Sequence, residues 1–116
     1  MRLFGRRTQV EVTGGHLVVH FISQHILEPG DVSGIGKEIE AAMGRYRAEV
    51  VILDFSGVKQ LSSQMFGQIL QLQKFAQSRH TSVRVCSMSG NVLKAFKLCR
   101  LDKVVPLFAN ENEASK

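Results

Sequence analysis

The sequence predicts one α/β domain, a mixed sheet of mostly parallel strands with one antiparallel edge strand and helices packed on the sheet. Three observations carry this. Two apolar runs flank Gly14-Gly15, a hairpin signature, because glycine reaches the positive φ angles of a tight primed turn. Beyond the hairpin, stretches with helical spacing alternate with short β-prone runs, which implies parallel strands joined by right-handed crossovers. Val50-Val51-Ile52-Leu53 has no polar break, as suits a central strand covered on both faces. The expected order is β-β-α-β-α-β-α-β, with room for a last helix.

The first strand is read over Thr8 to Thr13, where Val10 and Val12 alternate with Gln9 and Glu11, and the second over Leu17 to Ile22. After Glu28-Pro29-Gly30, Asp31 or Ser33 is the expected cap of a helix running to Tyr46. Ile35, Ile39, Ala42 and Met43 fall at helical spacing and would face the sheet. Gly34, Gly36 and Gly44 weaken this helix, each by about 1 kcal/mol relative to alanine. Asp54 to Leu61 reads as a loop after the central strand. Ser62 or Ser63 then opens a helix reaching Ser78, with Phe66, Ile69, Leu70, Gln73 and Ala76 on one side. Ser82 to Met88 is a strand, Asn91 to Cys99 a helix, and Val104-Val105 a short strand before Pro106. The span 1–116 is expected to be one domain with its core at 8–108. Residues 1–7 are read as a basic segment, and 109–116 as a polar tail that could form a frayed helix.

An apolar content of 44% is ordinary for a folded chain and argues against disorder. No apolar run reaches the roughly 20 residues of a membrane span. The basic start through Arg7 has no apolar stretch behind it, so it is not expected to be a secretory leader. Cys86 and Cys99 lie in apolar stretches without CxxC spacing, and are expected to be buried free thiols of a cytoplasmic protein. The net charge of +5 is unevenly placed. From Gly57 to Lys103, Asp102 is the only acid, against Lys59, Lys74, Arg79, Arg84, Lys94, Lys97, Arg100 and Lys103. Such a field steers an acidic partner toward the C-terminal half. Nucleic acid is disfavoured, because tryptophan is absent and no zinc-ligand spacing or RNP-type motif is present.

The sequence offers little for catalysis. No GxSxG elbow, Walker lysine or HExxH occurs, so no catalytic residue, metal ligand or cofactor site is assigned and the chain is not expected to be an enzyme. His16, His20, His25 and His80 are scattered, none with an acid at metal-ligand spacing. His16 and His20 share a strand face but stand about 13 Å apart, too far to share an ion. Ser62 and Ser63, at the start of the second helix, are more informative. A helix N-terminus presents unpaired N–H groups and tolerates added negative charge, so a serine there suits phosphate. From physics alone, simple N-capping, worth about 1 kcal/mol, is the readier account of a serine there.

The stretch LDFSGVKQLSSQMFGQIL, Leu53 to Leu70, resembles the central motif of STAS domains, the anti-sigma-factor antagonists. Their pattern is close to D-L-S-G-V-x-x-hydrophobic-D-S-S/T-G-L-G. Asp54, Ser56, Gly57 and Val58 match in register, Ser63 falls on the phosphoacceptor, and Gly67 matches the later small residue. Ser89 to Asp102 resembles the family's third helix and closing G-L-D turn, with Arg100 in place of the glycine. The likeness runs from Thr8 to Phe108. Ser62 replaces the acid before the acceptor, and Gln64-Met65 the S/T-G after it.

The resemblance implies a binding switch. An anti-sigma factor that is also a serine kinase, of the ATP-binding histidine-kinase-like fold, would contact Asp54, Ser56, Gly57, Lys59, Gln60, Ser62, Gln64 and Met65. Phosphorylation of Ser63, or of Ser62 as the alternative, would release it and so regulate transcription. The kinase supplies ATP, so no cofactor is expected in this chain. If Ser63 caps the helix, Ser62 is the more exposed hydroxyl; if Ser62 caps, Ser63 faces the surface. Two other readings stand beside the switch: a non-phosphorylated STAS scaffold, as a homodimer or subunit of a larger assembly, and a basic nucleic-acid adaptor.

Overall fold

The basic N-terminal segment is itself a strand. In the computed structural model, which describes residues 1–116, β1 (Arg2–Phe4) pairs antiparallel with β2 (Thr8–Thr13), adding a second short antiparallel strand at the edge. Charged residues suit an exposed edge, which is why composition alone hid it. The Gly14–Gly15 turn joins β2 to β3 (His16–Phe21) as the spacing predicts. After β4 (His25–Ile26) comes α1 (Pro29–Arg45). The cap is Glu28, with Pro29 in the first helical turn, earlier than Asp31 or Ser33. Proline's fixed φ favours that position. Asp31 instead accepts a hydrogen bond from Arg7 Nε at 3.1 Å.

β5 (Val50–Asp54), β6 (Gln60–Leu61), α2 (Ser63–Ser78), β7 (Ser82–Cys86) and α3 (Gly90–Leu98) follow. The last strand, β8, is Leu107–Phe108 and not Val104–Val105. Leu101–Lys103 closes a 3-10 turn whose Leu101 carbonyl accepts from Val104 and Val105, and this sends Val105 into the core. The tail does form a helix, α4 (Glu111–Ala114), capped by Asn110 Oδ1 accepting from Glu113 N at 2.9 Å. No helix is long and apolar enough to cross a membrane.

The main sheet runs β1-β2-β3-β5-β7-β8, with β3, β5, β7 and β8 parallel; β4 and β6 form a separate parallel pair. α1 and α2 bury Ile35, Ile39, Met65, Ile69 and Leu72 against Leu17, Val19, Val51, Leu53, Val83 and Val85. On α2 the buried stripe takes Met65 and Leu72 where Leu70 and Gln73 were expected, a rotation of the inward face. At Gly36 the terminal amide of Gln68 on α2 occupies the space a Cβ would take, so a larger residue there would push that side chain aside. The opposite sheet face carries a smaller cluster of Val18, Val50, Ile52 and Cys86, covered by Ala114 of α4.

Candidate functional site

At the C-terminal end of β5 the chain turns into the loop that leads to α2. Phe55 and Val58 are buried and anchor it; the Phe55 ring stacks on Phe21 at 4.7 Å. Between the anchors the chain must bulge outward, and Gly57, at φ 85°, takes the left-handed conformation of that turn. The Ser56 N–H donates to Asp54 Oδ1 at 2.9 Å, which ties the loop to the strand end. Lys59 N donates to Gln24 O at 2.7 Å, and His25 Nδ1 lies 2.8 Å from Gln60 Oε1. Ser56, Gly57, Lys59 and Gln60 are thereby held exposed at one end of the sheet.

The start of α2 completes this surface. Ser62 is the cap residue, with extended backbone (φ −76°, ψ 159°); its N–H donates to Ile26 O at 2.9 Å and its carbonyl accepts from Met65 N at 3.0 Å. Its hydroxyl makes no capping bond and is buried without a partner. Ser63 is the first helical residue; it and Gln64 are exposed, and the first turn holds no acid. Of the two registers, the structure takes the one in which Ser62 caps and Ser63 faces solvent. Beside this end, an open cleft of about 270 Å³ runs between Leu27, Leu61 and Phe66 on one side and Val92 and Ala95 of α3 on the other.

Two expected contact residues turn inward, which corrects their reading as surface contacts. Asp54 is 5% exposed and acts on the loop from beneath; Met65 is fully buried, because the sequence position of a small residue falls on the inward stripe of α2. Cys99 also departs from expectation, lying exposed at the end of α3, whereas Cys86 is buried. Burial, foremost, pushes the Cys86 thiol up to about 11; nearby Asp54 and Glu111 act in the same direction, against a hydrogen bond from Ser87. The basic surface is narrower than the charge count implies. Arg84 Nη1 donates to Ala114 O at 2.6 Å and Lys116 O at 3.0 Å, whereas Lys94, Lys97, Arg100 and Lys103 are exposed.

The sequence reading left His20 without an acidic partner. The fold supplies two. Parallel pairing places His20 beside Asp54, and Asp54 beside Cys86, in one cross-strand row on the α4 side of the sheet. Asp54 Oδ2 lies 3.3 Å from His20 Nδ1, and Glu111 Oε1 lies 3.6 Å from His20 Nε2. Strand register and the docking of α4 (Glu111–Ala114) create this cluster, and linear spacing carries no signal of it.

Comparison with known proteins bears on the whole chain. No curated protein sequence matches it. Among solved structures, an anti-sigma-factor antagonist (STAS) domain protein from Planctomyces limnophilus superposes with a TM-score of 0.79 at 22% identity, covering 92% of each chain. The anti-sigma factor antagonist SpoIIAA in its unphosphorylated form gives 0.78 at 20% identity, over 93% of this chain and 92% of that one. The phosphorylated form of SpoIIAA, a Bacillus cell fate determinant, gives 0.69 at 21%, over 93% and 96%. At these identities the likeness establishes the fold. The STAS domain model matches residues 7–114, nearly the full length, and the chain therefore belongs to the STAS domain family.

Proposed function

We propose that the chain is a protein-binding switch of the anti-sigma-factor-antagonist kind, not an enzyme, with Ser63 as its phosphoacceptor. The observation that carries this is the exposed Ser63 hydroxyl in the first turn of α2, beside exposed Ser56, Gly57, Lys59, Gln60 and Gln64. A phosphate there meets free backbone N–H groups and the positive end of the helix, with no acid in the first turn to repel it. The buried Ser62 hydroxyl supports Ser63 over Ser62 as the acceptor.

The unmodified surface binds an anti-sigma factor with serine-kinase activity, which brings its own ATP. Phosphorylation adds about −1.5 to −2 charge units at the centre of the contact, and repulsion and desolvation then release the partner. Asp54 and Met65 act from below, one holding the loop and the other the helix. Mass spectrometry of the protein from its native cells, beside a Ser63→Ala variant, tests this. Phosphate on Ser63 that is lost in the variant is the expected result. Phosphate on Ser62 would move the acceptor, and none under any growth condition would end the switch reading.

A second reading, a subunit of a larger STAS assembly, draws on the open β1 edge, where Phe4 is 71% exposed. A large particle in sedimentation, from a chain that carries no phosphate, would favour it.

A further inference from the structure

Three groups able to bind a metal meet on the sheet face away from α1 and α2. His20 and Asp54 are cross-strand partners on β3 and β5, and Glu111 opens α4, which lies over them. One donor atom from each residue falls within 4.8 Å of the others. A tetrahedral site with bonds of about 2.0–2.2 Å to nitrogen and oxygen holds its ligand atoms about 3.3–3.6 Å apart. Asp54 faces Nδ1 and Glu111 faces Nε2, and an ion takes only one ring nitrogen, so closing the set requires one carboxylate to swing to the other's nitrogen; the Glu111 side chain, 44% exposed, has room to do so.

The chemistry of the set calls for a cation. Asp54 is 5% exposed, and its Oδ1 has one neutral donor, the Ser56 N–H. A buried carboxylate is costly unless it is paired. Its Oδ2 and the Glu111 carboxylate face the two nitrogens of one imidazole, so two negative charges meet a ring that can carry at most one positive charge. Arginine does not relieve this: Arg84 is engaged by the Ala114 and Lys116 carbonyls, and Arg2 pairs with Glu11.

We propose that His20, Asp54 and Glu111 form a three-ligand site for a divalent cation of the Zn²⁺ type, with solvent completing its coordination. One imidazole and two carboxylates are a donor set that zinc accepts, and two negative charges match its own. Glu111 is the one ligand outside the central strands. The ion therefore fastens α4 to the sheet and holds Ala114 over Val18, Ile52 and Cys86. The site is separate from the exposed start of α2 and stands whether or not Ser63 accepts phosphate.

Calorimetric titration of the tag-free, chelator-treated chain with Zn²⁺ tests the proposal, beside His20→Gln, Glu111→Gln and His80→Asn. His80 sits at φ 57°, which asparagine tolerates, and it is remote in sequence from the site. One ion per chain is expected in the parent and in His80→Asn, weakened at least about tenfold by His20→Gln and by Glu111→Gln. The thermal midpoint should rise with Zn²⁺ in the parent and not in His20→Gln. Equal affinity in all four proteins would place the ion on other groups, such as Cys99, and overturn the site. So would failure to saturate below about 1 mM, which would leave His20 between the two acids with no ion.

Discussion

The two faces of the sheet are covered very unequally. On one, α1 and α2 help bury a cluster of 24 residues; on the other, Ala114 of the four-residue α4 completes a cluster of five. The first face is held by many apolar contacts, none of which is decisive alone. The second is held by Ala114, the two Arg84 hydrogen bonds and the Glu111–His20 contact. Dispersed packing makes a cover that comes away only when the domain unfolds. A cover resting on a few anchors has a local opening free energy of its own. Leu53 and Ile52 test this directly, since both are fully buried on β5 and point to opposite faces. Leu53→Ala should cost toward the upper end of the roughly 2–5 kcal/mol range for such truncations, and Ile52→Ala toward the lower end, because α4 can settle into the gap. Equal losses in urea denaturation would break the comparison.

Removing the tail cover should have a smaller effect and leave the fold intact. A chain ending at Ala109 loses the Arg84 bonds and the burial of Ala114, about 1–3 kcal/mol in all. The sharper readout is thiol chemistry. In the intact chain Cys99 should alkylate readily and Cys86 should not, because burial raises its thiol to about 11 and thiolate is scarce at neutral pH. Truncation should make the second thiol reactive. The same shift sets a pH dependence. The folded state holds the Cys86 proton more tightly than the unfolded chain, so its contribution is full below the ordinary thiol range and is lost as pH rises toward about 11. A truncated chain should lose that alkaline slope.

The helix-covered face was the more legible of the two in sequence. Ile35, Ile39, Ala42 and Met43 recur at helical spacing and are all buried on α1, and the unbroken Val50–Leu53 run is the fully buried central strand. Where the text misled, local chemistry was outvoted. Val104 and Val105 are β-prone, yet the turn at Leu101 makes Val105 a core residue and moves the strand to Leu107. The candidate loop was legible through its motif, but the burial of Asp54 and Met65 was not. Both follow from which way a strand end and a helix start face. The His20 cluster was invisible, because His20 lies 34 positions from Asp54 and 91 from Glu111 along the chain. The parallel register of β3 on β5 brings His20 to Asp54, and the docking of α4 adds Glu111.

The smallest predicted effect concerns a buried polar group on the helix-covered side. Capping serines replaced by alanine ordinarily cost about 0.5–2 kcal/mol, since one helix N–H loses its acceptor. Ser62 stands at the cap with the right backbone, but its hydroxyl caps nothing and is buried without a partner. An unsatisfied buried hydroxyl carries a penalty of about 1–3 kcal/mol, which alanine removes along with some packing. The two changes oppose each other, so Ser62→Ala should shift stability by less than about 0.5 kcal/mol, or raise it slightly. A loss of about 1 kcal/mol or more in urea denaturation would mean that the hydroxyl does cap α2. The variant also separates packing from signalling. With Ser63 untouched and exposed, phosphate uptake should be unaffected by Ser62→Ala and abolished by Ser63→Ala, so a switch that failed in the first variant would assign the acceptor to Ser62.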